Sequence, residues 1–234
     1  MNTQKLVRMF FTTLFLGGIA TLITSFFVVS SIYGSAISPM DWMDLLGLVI
    51  FYLSLGFIFA VISQTGFFVY LFINRFGLNL FKAFWPLVQV VLILFVLFDL
   101  IYFPYKAEGN TIPLYLLILM ALGILAIGII IARIKMNETN VTAFIPTLFL
   151  MVVMTAIEWV PGLQTEGTDY AWLMIIALLV CNAYQILVLH RLTKRDPEEE
   201  ERMKQLRQKR QEAKRKAQEE RNKKIEEKNK ATKE

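Results

Sequence analysis

Residues 45–74 read LLGLVIFYLSLGFIFAVISQTGFFVYLFIN, a run without one charged side chain. As a helix rising 1.5 Å per residue it is about 45 Å long, more than the roughly 30 Å of a bilayer's hydrocarbon core. A segment of that length and composition has no place inside a small soluble domain. It is read as a membrane-spanning helix, tilted or with one end lying in the interface.

The same pattern recurs on both sides. Uncharged runs occupy 9–40, 83–98 (to 103 if Asp99 is tolerated), 109–132, 139–157 and 170–189. They predict an all-α integral membrane domain over residues 1–190. Its six helices fall at about 9–31, 47–72, 84–103, 112–132, 142–160 and 170–189. The chain is 56% hydrophobic with a mean hydropathy of +0.54, too apolar for one soluble domain. Lys5 and Arg8 followed by Gly34-Ser35-Ala36 resemble a signal peptide and its cleavage site. The apolar run between them exceeds the roughly 7–15 residues of such a segment, so a retained helix is expected.

Charge is unevenly placed. From His190 onward there are 17 Lys/Arg and 11 Asp/Glu, against 7 and 8 before it. The net +5 therefore belongs to a charged tail, 191–234, and is no sign of a nucleic-acid-binding fold. Lys5, Arg8, Arg75, Lys82, Arg133, Lys135 and the tail fall on one side of the predicted helices. The other side carries Lys106 with Asp41, Asp44, Glu108, Glu166 and Asp169. The positive-inside rule places both termini in the cytoplasm. Tyr33, Trp42, Tyr102, Tyr105, Tyr115, Trp159, Tyr170 and Trp172 gather at the outer ends, as interfacial anchors do. Pro113 is read as an early helical proline after a Thr111 cap, Pro104 and Pro161 as helix ends, and Pro146 as a kink.

The tail opens with a helix start: Asp196 as cap, Pro197 in the first turn, then Glu198–Glu201 at the positive dipole end. Acid-first pairs such as Glu198–Arg202 and Glu212–Lys216 recur at i,i+4. Apolar residues are too sparse for a coiled-coil seam. A solvated, partly helical arm is expected, with attraction to anionic lipid or an acidic partner, helped by Arg191, Lys194 and Arg195, as its functional alternative. No aromatic follows Tyr184 to stack on a base, so nucleic acid is not an expected partner.

Most catalytic classes fail on inventory. One cysteine, Cys181, excludes a CxxC pair, and one histidine, His190, excludes a His-rich metal site. His190 is read as an interfacial side chain reaching for headgroups, with a pH switch as the alternative. No GxSxG, HExxH, Walker A loop or dinucleotide fingerprint occurs. No enzyme, cofactor or metal is expected.

Polar residues inside the spans are the remaining candidates. Gln64, Gln89, Asn182 and Gln185 fall at similar depth in the cytoplasmic half, as an amide belt that joins helices or lines a polar pathway. Gly17, Gly18, Gly56 and Ala60 permit close helix contact. Glu158, beside Trp159 and near a helix end, is read as interfacial. Asp99 lies about 6 Å inside its helix with no cation in any span to pair with it. Two readings stay open: a hydrogen bond, for instance from Tyr102, or a sensing, ion-binding or partner-contacting carboxylate.

The runs GFIFAVISQTGFFVYLFINRFGLNLFK (56–82) and VQVVLILFVLFDLIYFPY (88–105), with RMFFTTLFLGGIATLITSFF (8–27), resemble the KinB-signalling pathway activation family. The resemblance covers about residues 1–195 and carries no catalytic signature. It implies a six-span protein of endospore-forming bacteria, in the cytoplasmic membrane. Such a protein promotes a membrane sensor histidine kinase upstream of the sporulation phosphorelay. The alternative is a small transporter or ion-coupled protein using Asp99, Glu158 and the amide belt.

Overall fold

The computed structural model describes residues 3–37, 42–106, 113–163 and 168–193, together with Gln208. The tail readings, and those for Asp41, Glu108, Thr111 and Glu166, lie outside the described residues. The chain divides into two compact units, Asn2–Arg191 and Leu192–Glu234 with Met1. Every contact below lies within the first.

The described elements are helices: α1 (Thr3–Val28), α2 (Ser30–Ile37), α3 (Trp42–Phe81), α4 (Trp85–Lys106), α5 (Leu114–Glu138), α6 (Phe144–Phe149), α7 (Thr155–Leu163) and α8 (Thr168–Thr193). Short 3-10 turns cover Lys82–Phe84 and Val141–Ala143, and a π-helical segment, Leu150–Met154, joins α6 to α7. Among the described residues, five stretches are long and apolar enough to cross a membrane: Gln4–Val28, Trp42–Lys106, Leu114–Glu138, Val141–Val160 and Asp169–His190.

Trp42–Lys106 is two legs. Lys82 has φ 49°, the left-handed conformation that a non-glycine residue adopts only in turns of this kind. Beyond it, the Trp85 ring N–H donates to Asn74 Oδ1 at 2.8 Å and Gln89 Nε2 to the same oxygen at 3.3 Å. On a straight helix, residues 74 and 89 would stand about 22 Å apart. The bonds therefore require α4 to double back along α3. Gly77 makes the return possible, because a Cβ there would lie 2.5 Å from three ring atoms of Trp85. Trp85 also stacks on Phe81, centroids 5.9 Å apart.

Two helices run past the ends expected from the sequence. α3 runs to Phe81, and α5 to Glu138, so Arg133 and Lys135 belong to a helix and not to a loop. A charge marks the edge of the hydrocarbon, whereas backbone hydrogen bonding continues into the headgroup region. Pro104 lies inside α4 and Pro161 inside α7, each followed by two more helical residues. Pro113 is itself the N-cap of α5, with extended backbone. Pro146, read as a kink, sits in the first turn of α6, where its missing N–H costs nothing. The irregularity comes instead at Leu150–Met154. The first predicted helix breaks at Val29. There the Ser25 hydroxyl bonds back to Leu22 O at 2.7 Å and shares a 2.8 Å bond with Tyr33 Oη.

α1 packs along α3 through small residues. A Cβ at Gly17 would meet Ala60 Cβ at 2.7 Å, and one at Gly56 would meet Gly17 O at 2.5 Å, so backbone lies nearly on backbone. This is the close contact expected of Gly17, Gly18, Gly56 and Ala60. α8 presents a buried stripe of Met174, Ala177, Leu178, Cys181, Asn182 and Gln185 at helical spacing. α1, α3, α5 and α7 all contribute groups that bond to it. Outward, Phe15, Ile19, Ile23 and Phe27 on α1 and Leu87, Val91, Leu94, Phe95 and Phe98 on α4 are exposed. Apolar surface of this extent exceeds the patches usual on soluble monomers and suits a hydrocarbon surrounding.

Candidate functional site

The π segment creates the site. Phe149 through Ala156 are buried without interruption, which places this stretch inside the bundle, packed against α3, α4 and α5. An extra residue in the turn rotates the residues after it by about 100° relative to a regular α-helix. Thr155 and Glu158, three apart and so on one face, consequently point inward. The Thr155 hydroxyl bonds to Leu150 O at 3.3 Å, five residues back.

α8 meets them with Asn182 and Gln185, and α3 with Ser63. Gln185 Nε2 donates to Ser63 Oγ at 2.9 Å, and the Ser63 hydroxyl donates to Asn182 Oδ1 at 2.7 Å. Asn182 Nδ2 then donates to Glu158 Oε2 at 2.7 Å and Thr155 Oγ1 at 2.9 Å. Ser63, Thr155, Asn182 and Gln185 are fully buried, and Glu158 is 6% exposed. The second carboxylate oxygen, Oε1, rests against Gly66 where a side chain would otherwise begin. Oε1 of Glu158 and Oε1 of Gln185 have no hydrogen-bond partner. The cluster thus has more acceptors than donors, and one donor, Asn182 Nδ2, reaches the carboxylate.

Glu158 is therefore buried among helices and not exposed at a helix end. Trp159 beside it is buried too, its ring N–H donating to Ala171 O at 2.8 Å. Position along a helix does not tell which face a residue presents, and the π segment sets that face for Glu158. The amide belt is not one belt. Asn182 and Gln185 join the cluster, but Gln64 donates to Phe10 O of α1 at 3.0 Å and Gln89 bonds across the α3–α4 turn. Asp99 is half-buried and makes no hydrogen bond or ion pair with any described residue. Tyr102 stacks on Phe98, centroids 5.2 Å apart, rather than bonding to Asp99. Sequence reasoning overlooked Ser63 and Thr155. Their signal was spacing: Ser63 adjoins Gln64, and Thr155 precedes Glu158 by three.

A second polar group ties α5 to α8. Lys135, only 5% exposed, donates from Nζ to Leu187 O at 3.3 Å, and its Nζ lies 3.1 Å from His190 Nδ1. That nitrogen is 2.8 Å from Leu187 O and 3.7 Å from Glu138 Oε2. His190 is thus engaged in an interhelical contact instead of reaching for headgroups. Among the described residues, no three His, Cys, Asp or Glu side chains converge as a metal site would require.

A family model for KbaA, described as KinB-signalling pathway activation in sporulation, matches residues 17–192. The chain belongs to the KinB-signalling pathway activation family. A relative named KinB-signaling pathway activation protein, from Bacillus subtilis (strain 168), is 36% identical over 200 residues, 81% of this chain and 97% of the relative. No solved structure matches the chain. Ser63, Gly66, Thr155, Glu158, Asn182 and Gln185 all lie within the stretch that the family model matches.

Proposed function

We propose that this chain is a six-span protein of the bacterial cytoplasmic membrane, both termini inside. It promotes the activity of a KinB-type sensor histidine kinase feeding the sporulation phosphorelay. The observation that carries the reading is the family match over residues 17–192, on a chain whose outer surface is apolar. The protein acts as a regulator and not as an enzyme: it binds one conformation of the kinase better than another. The kinase equilibrium shifts by that difference in affinity. Residues 1–190 form the membrane domain, and 191–234 a charged cytoplasmic arm.

A transporter using Asp99, Glu158 and the amides as a pathway is less well supported, because Asp99, Gln64 and Gln89 stand apart from the cluster. The test is replacement of the Bacillus subtilis relative by this chain in a strain that lacks it. Restored phosphorelay output that disappears when the kinase gene is also deleted is the expected result. No restoration at normal membrane abundance, or output that persists without the kinase, contradicts the proposal.

A further inference from the structure

We propose that Glu158 is a proton-binding site, its carboxyl group held as the neutral acid where α3, α7 and α8 meet. The first ground is burial without a countercharge. α3 presents Gly66 to the carboxyl group, α8 presents Asn182, which follows Cys181 and bonds to Ser63 of α3, and Thr155 lies one turn before it. The Cys181 thiol is the one other titratable group among these, and it bonds to Thr13 O of α1 at 3.7 Å. Glu158 forms no ion pair with a described residue. Lys135 and His190 are engaged with each other and with Leu187 O, farther along α8. An unpaired charge in such surroundings costs far more than an incompletely bonded neutral group.

The second ground is the direction of the hydrogen bonds. Donors run from Gln185 through Ser63 and Asn182 to Glu158 Oε2, so one carboxyl oxygen is already an acceptor and the other is left bare. A hydrogen on Oε1 completes the group as an acid: Oε2 is its carbonyl oxygen and Oε1 its hydroxyl. A metal ion fits less well, because Asn182 directs an N–H at the carboxylate and this hydrogen would repel a cation. Oε1 lies against the Gly66 backbone, where a proton needs no cavity.

The third ground is construction. The π segment and the absence of a side chain at Gly66 both serve to bring this carboxyl group inside. Loss of the proton to water would leave a charge that the packing has no means to balance, so release is coupled to separation of α7 from α3. Protonation is independent of the signalling reading, and its test needs no kinase.

The test is the infrared spectrum of purified full-length protein in lipid near neutral pH. The expected result is a carbonyl band of a protonated carboxylic acid that is lost in Glu158→Gln and kept in Asp99→Asn. Absence of the band in the unaltered protein, or its survival in folded Glu158→Gln, overturns the proposal. Should Glu158→Gln fail to accumulate, carboxyl-13C glutamate labelling of the unaltered protein decides: a shifted band supports the proposal and an unshifted one refutes it. Thermal stabilisation by sodium ion, in place of the band, would likewise refute it in favour of a metal site.

Discussion

Gly66 and Glu158 occupy one position between them, so their pairing is the sharpest residue-scale feature of the molecule. A methyl group at Gly66 displaces the carboxyl group or forces α3 from α7. Gly66→Ala should cost about 1–3 kcal/mol, as overpacking does, read as a lower thermal midpoint of the purified protein. Gly123, where an added methyl group would meet nothing within 4 Å, is the control. Gly123→Ala should leave the midpoint unchanged or slightly higher, and equal effects at the two sites would contradict the packing. Asn182 and Asp99 form a second contrast. Asn182→Leu removes the hydrogen bond to Glu158 and one bond each from Ser63 and Thr155, and a buried polar group left unpaired costs about 1–3 kcal/mol. Asp99 has no bonding partner to strand among the described residues. Membrane abundance should fall for Asn182→Leu and hold for Asp99→Leu. A collapse of the latter would restore a structural role to Asp99.

At the scale of elements, the reach of sequence reasoning can be traced helix by helix. Charge-free runs find membrane helices because hydrocarbon excludes charge, and that rule located each of the long ones. It misjudged ends such as Phe81 and Glu138 because helices continue past the hydrocarbon edge. The Leu150–Met154 segment was not legible, since a π turn differs from an α turn by one hydrogen-bond register and uses the same apolar residues. With it went the true position of Glu158. The small-residue contact of α1 with α3 was legible because Gly17, Gly18, Gly56 and Ala60 suit close packing wherever they meet. If the π turn aims the site, deleting Val152 should return the segment to regular helix and rotate Thr155 and Glu158 outward by about 100°. The deletion should abolish signalling and lower the thermal midpoint more than Val152→Ala does. A deletion variant as stable and active as the alanine variant would show that the extra residue is incidental.

For the whole molecule, the proposed orientation predicts which positions face outward. In a Cys181→Ser background, single cysteines at Ser38, Glu108 and Gln164 should react with an impermeant thiol reagent added to intact cells. Cysteines at Asn79 and Asn137 should not, and labelling of Asn79 would overturn the six-span arrangement. The tail is proposed as an accessory arm. Truncation after Arg195 should leave an inserted protein with partial or full signalling, and complete loss at unchanged abundance would make the tail the kinase-binding element. The central claim, that the membrane domain acts on a sensor kinase through contact in the bilayer, is tested most directly by photocrosslinking. The crosslinker is placed singly at the exposed positions Phe15, Phe72, Phe95 and Leu119, on four different helices, in native membranes. The account predicts capture of the sensor kinase from at least one helix and not from all four. Absence of kinase from every position, in variants that still restore phosphorelay output, would contradict it.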